Sequence, residues 1–289
     1  GEAEKIAETI SECVRMKLPV LPPDINESLG DFAVVQIRLS DGQTKEAEGI
    51  RFGLYTIKNL GQEIANAIIG ERLAKGRYKS FSDFLDRVHH KNLNKKSLES
   101  LIKAGALDAF GERNQMLFNM EEALEYKKES INKTQKNQDS LFALMKDQTS
   151  VPVLKLKETT PAAPDEKLLW EKELLGLYVS GHPLNKFKDK LEKIKTKIGD
   201  AKKLPNSMPV VTAGMIEEIK KIMTKKGEQM MFLKLSDYTD SIEMVVFPRV
   251  LEKFNGVIRD GNCIGVKGKI SLRNNEPSII VEEIKEMQN

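Results

Sequence analysis

Leu54-Tyr55-Thr56-Ile57-Lys58-Asn59-Leu60-Gly61-Gln62-Glu63-Ile64-Ala65 is the stretch on which the fold turns. Leu54 and Ile57 have helical spacing, Leu60 and Gly61 mark a tight turn, and Ala65 lies in the helix that follows. Asparagine is the best non-glycine residue for a left-handed turn, which suits Asn59. Gly61 lets a backbone come close to an anion, and the next helix points its free amides and positive dipole end at it. Lys58 adds a full positive charge beside that turn.

This pattern resembles the helix-hairpin-helix motif, with Asn59 where the motif usually has glycine. The resemblance implies that Lys58, Asn59, Leu60 and Gly61 contact DNA phosphates, a contact that carries no base specificity. A second copy is expected at Leu98-Glu99-Ser100-Leu101-Ile102-Lys103-Ala104-Gly105-Ala106-Leu107-Asp108, followed by Gly111, with Lys103 and Gly105 as its DNA-contacting residues. Tandem hairpins would clamp the two strands of a duplex. The alternative is a helical bundle whose loops use glycine as ordinary C-caps.

Downstream the period changes from helical to alternating. Val210 to Met223, Met230 to Leu235 and Ile242 to Phe247 read as strands. A short helix over Pro248–Asn255 and strands over Cys263–Leu272 and Ser278–Ile284 follow. Three strands, a helix and two strands is the order of an OB-fold barrel. Such barrels hold single strands with aromatic faces and a basic groove. Lys225, Lys226, Tyr238 and Arg273 are the expected surface contacts, whereas Phe232, in a Met-Met-Phe-Leu run, and Phe247, at a strand end, are expected to be structural.

Upstream, a helix over residues 2–17 ends at the Pro19, Pro22, Pro23 cluster, and residues 24–50 read as extended. Residues 127–165 read as a mobile polar connector. Within it, Gln138-Asp139-Ser140-Leu141-Phe142 sets one glutamine before two large hydrophobes. Burying that pair in a partner's groove would yield roughly 1.5–3 kcal/mol per side chain before ordering costs. The pentapeptide resembles the linear motif by which bacterial proteins bind the sliding clamp; the alternative is an amphipathic turn docking on its own domain.

The 289 residues suit about two domains. No apolar run approaches the ~20 residues of a membrane span, and no membrane partner is expected. The 46 basic and 43 acidic residues leave a net charge of only +3, so any nucleic-acid surface must come from local placement. Two distant cysteines and three scattered histidines make no disulfide framework or metal motif, which fits a reducing cytoplasm. His182 sits in a Gly-His-Pro turn without an acidic partner, and Asp237 and Asp240 flank a strand turn. No catalytic residue and no metal site is therefore expected in this chain, and its start at Gly1 in mid-helix reads as that of an excised piece.

Three strings together resemble the C family of bacterial replicative DNA polymerases, the polymerase III alpha subunits. They are Val20-Leu21-Pro22-Pro23-Asp24-Ile25-Asn26-Glu27-Ser28, Ile50-Arg51-Phe52-Gly53-Leu54 with Ile57 to Gly61, and Glu173-Leu174-Leu175-Gly176-Leu177-Tyr178-Val179-Ser180-Gly181-His182-Pro183-Leu184. The resemblance implies a multidomain α + β carboxy-terminal fragment. Its parts would be the end of the fingers domain over 1–49, a helical tandem helix-hairpin-helix domain over 50–130 and a connector with the clamp motif over 131–164. A helical linker over 165–207 and a five-stranded OB-fold β-barrel over 208–289 would complete it. It further implies duplex and single-stranded DNA, the sliding clamp and other replicase holoenzyme subunits as partners. The parent would add deoxynucleotides to a primer using two Mg2+ held by palm aspartates outside this chain. A free-standing repair or recombination protein, a synthetase anticodon-binding module and a scaffold without nucleic-acid contact are the competing readings.

Overall fold

The computed structural model describes residues 10, 13, 16, 18–37, 47–139, 154–273 and 276–288. It divides into two compact units, Gly1–Gly181 and His182–Asn289, each with its own core.

The first unit opens with a three-stranded sheet of order β1-β3-β2, made of β1 (Val20–Leu21), β2 (Ala33–Ile37) and β3 (Ala47–Arg51). Strand β1 runs parallel to β3 and β2 antiparallel to it. Helices α1 (Gln62–Lys75), α2 (Phe81–Arg87), α3 (Lys95–Lys103), α4 (Arg113–Phe118) and α5 (Met120–Asp139) follow, then α6 (Pro164–Leu175). Their apolar faces meet in a core containing Ile25, Phe52, Leu54, Ile64, Ile68, Phe84, Leu98 and Leu101. Each such side chain contributes about 1.5–3 kcal/mol on burial. Arg72 of α1 is buried and donates to the carbonyls of Ile25 (2.9 Å) and Ser28 (2.8 Å), tying the sheet's connecting loop to the helices.

The expected mobile connector over 127–165 is corrected at both ends. Helix α5 continues to Asp139, because Glu, Lys and Gln in that polar run still favour helix. Residues 154–163 have no regular structure but are docked. Leu154 and Leu156 pack on the core, the Lys157 amide donates to Asn119 Oδ1 (2.8 Å), and Asn114 donates to the Thr160 carbonyl (2.7 Å).

In the second unit, α7 (Lys188–Glu192) and α8 (Ile198–Ala201) precede a closed barrel. Its strands are β4 (Pro209–Met223), β5 (Gln229–Ser236), β6 (Ser241–Val246), β7 (Cys263–Arg273) and β8 (Glu276–Glu286), with α9 (Pro248–Phe254) between β6 and β7. The order around the barrel is β4-β5-β6-β8-β7, with a parallel β6–β8 pair closing it. The strands, the intervening helix and the closed barrel are those expected from the alternating pattern. Closure needs close backbone approach: a Cβ on Gly214 or Gly268 would lie 2.2 Å from a carbonyl oxygen of the neighbouring strand. Ile198 and Ala201 of α8 and Leu251 of α9 are buried in the barrel core.

Candidate nucleic-acid interface

The first hairpin is tighter than two regular helices. Leu54–Thr56 form a single 3-10 turn, and the amides of Ile57 and Leu60 donate to the carbonyls of Leu54 and Ile57. Leu54, Ile57 and Leu60 are buried, which leaves Lys58 and Asn59 between them on the surface. Asn59 has φ 67°, the left-handed conformation expected of it. The Lys58 amide donates to the Leu174 carbonyl (2.9 Å), so α6 braces the turn from behind.

Gly61 is the N-cap of α1 at φ −68° and ψ 154°, a conformation open to any residue. Its glycine identity is therefore not a backbone requirement. A Cβ there would meet nothing within 4 Å, so the absence of a side chain only bares the surface. No side chain caps the helix, and its first-turn amides have no intrahelical partner. Gly61, Gln62 and Glu63 are exposed there, close in sequence to exposed Lys58, with the positive end of the helix dipole behind them. Glu63 in that first turn opposes an anion, and its carboxylate accepts from Asn92 Nδ2 (3.0 Å).

The second hairpin is built differently. Asn94 and Ser97 form a reciprocal capping box at the start of α3. At its end the Gly105 amide donates to Ile102 and the Ala106 amide to Leu101, a Schellman cap with Gly105 at φ 83°. The space beneath Gly105 is filled: a Cβ would lie 2.3 Å from the Arg113 guanidinium. Arg113 is 3% exposed, donates to Asp108 (2.7 and 2.9 Å) and is paired with Glu171 of α6 (3.2 Å), which is fully buried. Glu171 also accepts the amides of Val179 (3.0 Å) and Ser180 (2.9 Å). Lys103 is paired with Glu99 (2.6 Å) and lies 5.7 Å from the Trp170 ring. Gly105 and Lys103 thus stand in a glycine C-cap tied to α6, while Lys58 and Gly61 stand at an open helix end.

On the barrel, Lys225 and Lys226 are exposed in the β4–β5 turn, which is closed by Thr224 and Glu228 (2.8 Å) with Gly227 at φ 79°. Arg273 is exposed at the end of β7. Tyr238, in the β5–β6 turn, is 52% exposed; its hydroxyl donates to Asn185 Oδ1 (2.8 Å) and its ring lies 5.5 Å from that of His182. Burial pushes the Tyr238 phenol above its ordinary pKa. His182 itself accepts the Leu184 amide at the start of a 3-10 turn, in keeping with its expected role in a rigid turn.

Two structural assignments from sequence are corrected here. Met231, Leu233 and Leu235 point into the barrel, which turns Phe232 to the outside. Phe232 lies across from Lys220 on β4 and Val245 on β6, and lines an open groove of about 310 Å³ with Glu218, Lys234 and Glu243. Phe247 is 44% exposed where the chain leaves β6 for α9. In a run of consecutive apolar residues the period-2 phase is ambiguous, and only pairing with β4 and β6 decides which residue faces out. Phe232, expected to be structural, thus forms a surface pair with Lys220.

Gln138 and Asp139 lie at the end of α5, where only the backbone is described, and Ser140, Leu141 and Phe142 fall outside the described residues. Among the described residues no group of three or more His, Cys, Asp and Glu converges as metal ligands would, and no helix is long and apolar enough to cross a membrane.

Residues 17–117 match the helix-hairpin-helix motif family, and residues 210–287 match the OB-fold nucleic acid binding domain family. Over most of its length the chain is similar to curated proteins named DNA polymerase III subunit alpha. The Thermus aquaticus protein is 38% identical over 87% of this chain and 20% of its own length. The Deinococcus radiodurans protein is 38% identical over 87% of this chain and 19% of its own length. The Borreliella burgdorferi protein is 34% identical over 97% of this chain and 24% of its own length. The chain therefore spans about a fifth to a quarter of the relatives it matches.

Proposed function

We propose that this chain, which belongs with the DNA polymerase III alpha subunits it matches in sequence, is the DNA-gripping carboxy-terminal part of such a polymerase. In this reading the first hairpin holds duplex phosphates behind the site of synthesis, and the barrel takes single-stranded template. The observation that carries the duplex grip is the bare, uncapped start of α1 beside Lys58 and left-handed Asn59. Phosphate oxygens would accept from first-turn amides there, with Lys58 supplying charge. For the barrel, support comes from Phe232 on β5 and Lys220 on β4 in the groove across β4, β5 and β6, with Lys225, Lys226 and Tyr238 in turns and Arg273 at the end of β7. An OB-fold binds oligonucleotides on the face of its second and third strands, here β5 and β6, and on the turns after its first and fourth strands, here those of Lys225–Lys226 and beyond Arg273.

Primer extension belongs in this reading to the parent, whose two Mg2+ would sit on aspartates outside this chain. Gln138–Phe142 would tether the parent to the sliding clamp, Leu141 and Phe142 entering its groove and Gln138 fixing register. A free-standing repair protein built from the same modules leaves the match to polymerase subunits from unrelated bacteria unexplained.

The test is duplex binding by anisotropy with Lys58→Ala and Gly61→Val. Gly61→Val should lower stability by no more than about 1 kcal/mol, the loss of a favoured N-cap residue, while weakening duplex binding, because its side chain would cover the exposed amides. With ~two phosphates held, raising salt from about 50 to about 200 mM should cost roughly tenfold in affinity. Unchanged affinity in both variants, or no salt dependence, overturns the duplex grip. For the tether, equal clamp retention by the chain and its Leu141→Ala/Phe142→Ala variant removes it.

A further inference from the structure

The segment leading into the barrel, Lys186 to Lys203, contains eight lysines against Asp189, Glu192 and Asp200. That surplus of five exceeds the +3 of the whole chain, so the remaining residues together are slightly acidic. The positive charge missing from bulk composition is concentrated here. Lys202 is paired with Asp240 (2.7 Å), Lys203 with Asp200 (3.7 Å), and Lys186 lies 5.3 Å from the Phe187 ring. Lys188, Lys193, Lys195 and Lys197 are exposed and meet no carboxylate among the described residues. The segment is held in place by apolar anchors: Leu184, Phe187, Leu191 and Ile198 are buried, and the Ile198 amide donates to Asp237 Oδ2 (2.8 Å).

Between this segment and the barrel lies a recess of about 150 Å³, with Lys188, Lys197, Leu191 and Tyr238 in its lining. It is smaller than the ~300 Å³ at which cofactor-sized pockets begin, so it takes a single ring and not a whole nucleotide. Asp237 in its wall is already engaged, accepting the amides of Ile198, Thr239 and Asp240. Glu192 is a carboxylate in the lining that stands against an anion. Lysines at the rim, an aromatic ring in the wall and space for one ring are the requirements of a single-strand contact: phosphates outside, one base within.

We propose that the lysine-rich segment 186–203 and this recess form a further contact for single-stranded nucleic acid, with Lys188 and Lys197 on phosphates flanking one unstacked base that enters beside Tyr238. This rests on the reading of the barrel as a single-strand binder, and it extends the strand's path from the β5–β6 groove, past the β5–β6 turn, onto the preceding helices.

The test uses the whole chain and an oligothymidine probe, with a 2-aminopurine version to report base environment. Replacing Lys188, Lys193, Lys195 and Lys197 by Ser should weaken binding roughly tenfold at low salt and flatten the log–log salt slope by about 0.7 per phosphate lost. Replacing the same four by Arg should restore both, and Tyr238→Ala should remove the 2-aminopurine signal of the bound strand. Melting curves establish that the variants fold. If the four-serine variant binds with unchanged affinity and slope while Lys225→Ser/Lys226→Ser weakens binding, the barrel reading stands and this contact is overturned. The segment would then be a face for an acidic protein. If the unaltered chain fails to bind the probe at low salt, the barrel reading falls and this inference with it.

Discussion

Asn59 and Gly105 occupy the same left-handed region of backbone space for different reasons. Asn59 is exposed between buried Ile57 and Leu60 and has a left-handed backbone, so its demand is conformational. Asn59→Gly should leave stability within a few tenths of a kcal/mol, while Asn59→Ala should cost about 1 kcal/mol or slightly more. Urea denaturation of the two variants checks this, and equal loss in both would show that the Asn59 side chain itself is needed. Gly105 adds a steric demand, because Arg113 fills the space a side chain would take. Sequence could announce that both positions are turns. It could not distinguish them, because Arg113 and Glu171, which define the second turn, come from elsewhere in the chain.

Helix α6 is the element that sequence reading understated. Treated as a linker, it instead carries Glu171 into the first unit, where the carboxylate meets Arg113 and two backbone amides. Glu171→Ala leaves Arg113 paired with Asp108 alone and takes the acceptor from the Val179 and Ser180 amides, so it should destabilise the chain by about 3 kcal/mol, read as a lowered melting temperature. A variant as stable as the parent would show that the pair is not a bolt. The start of α4 has a related dependence. Burial opposes ionisation of Glu112, but Lys167 and the amides of Ala162, Gln115 and Asn114 outweigh it and hold this carboxyl below its usual range. A depressed folded-state pKa gives stability present above the unfolded value near ~4.3 and lost as pH falls through the folded one. Melting temperature should fall on acidification through that range, and Glu112→Gln should flatten the fall. The strands, by contrast, were legible almost to the residue, because alternation survives wherever one face is wet. It failed at Phe232, inside an apolar run, where both phases of the pattern are equally hydrophobic.

At the scale of the molecule, two cores in one chain set two different surfaces: an open helix end in the first unit and a grooved, lysine-fronted barrel in the second. Near-neutral overall charge hid this, since the acidic remainder offsets one basic segment. The barrel's closure has a further consequence. Strands β7 and β8 pair along nearly their whole length, but β6 and β8 meet only at Glu243–Val245 against Ser278–Ile280. A hoop fails at its shortest weld. Amide deuterium uptake should be faster across 243–245 and 278–280 than across the β4–β7 ladder at 210–215, and equal protection would contradict it. When that seam parts, two strand edges with unmet donors and acceptors face outward together, and a stray strand from a neighbouring molecule can complete them. The same short closure that lets a small sheet become a barrel is where the described barrel can open an edge to aggregation.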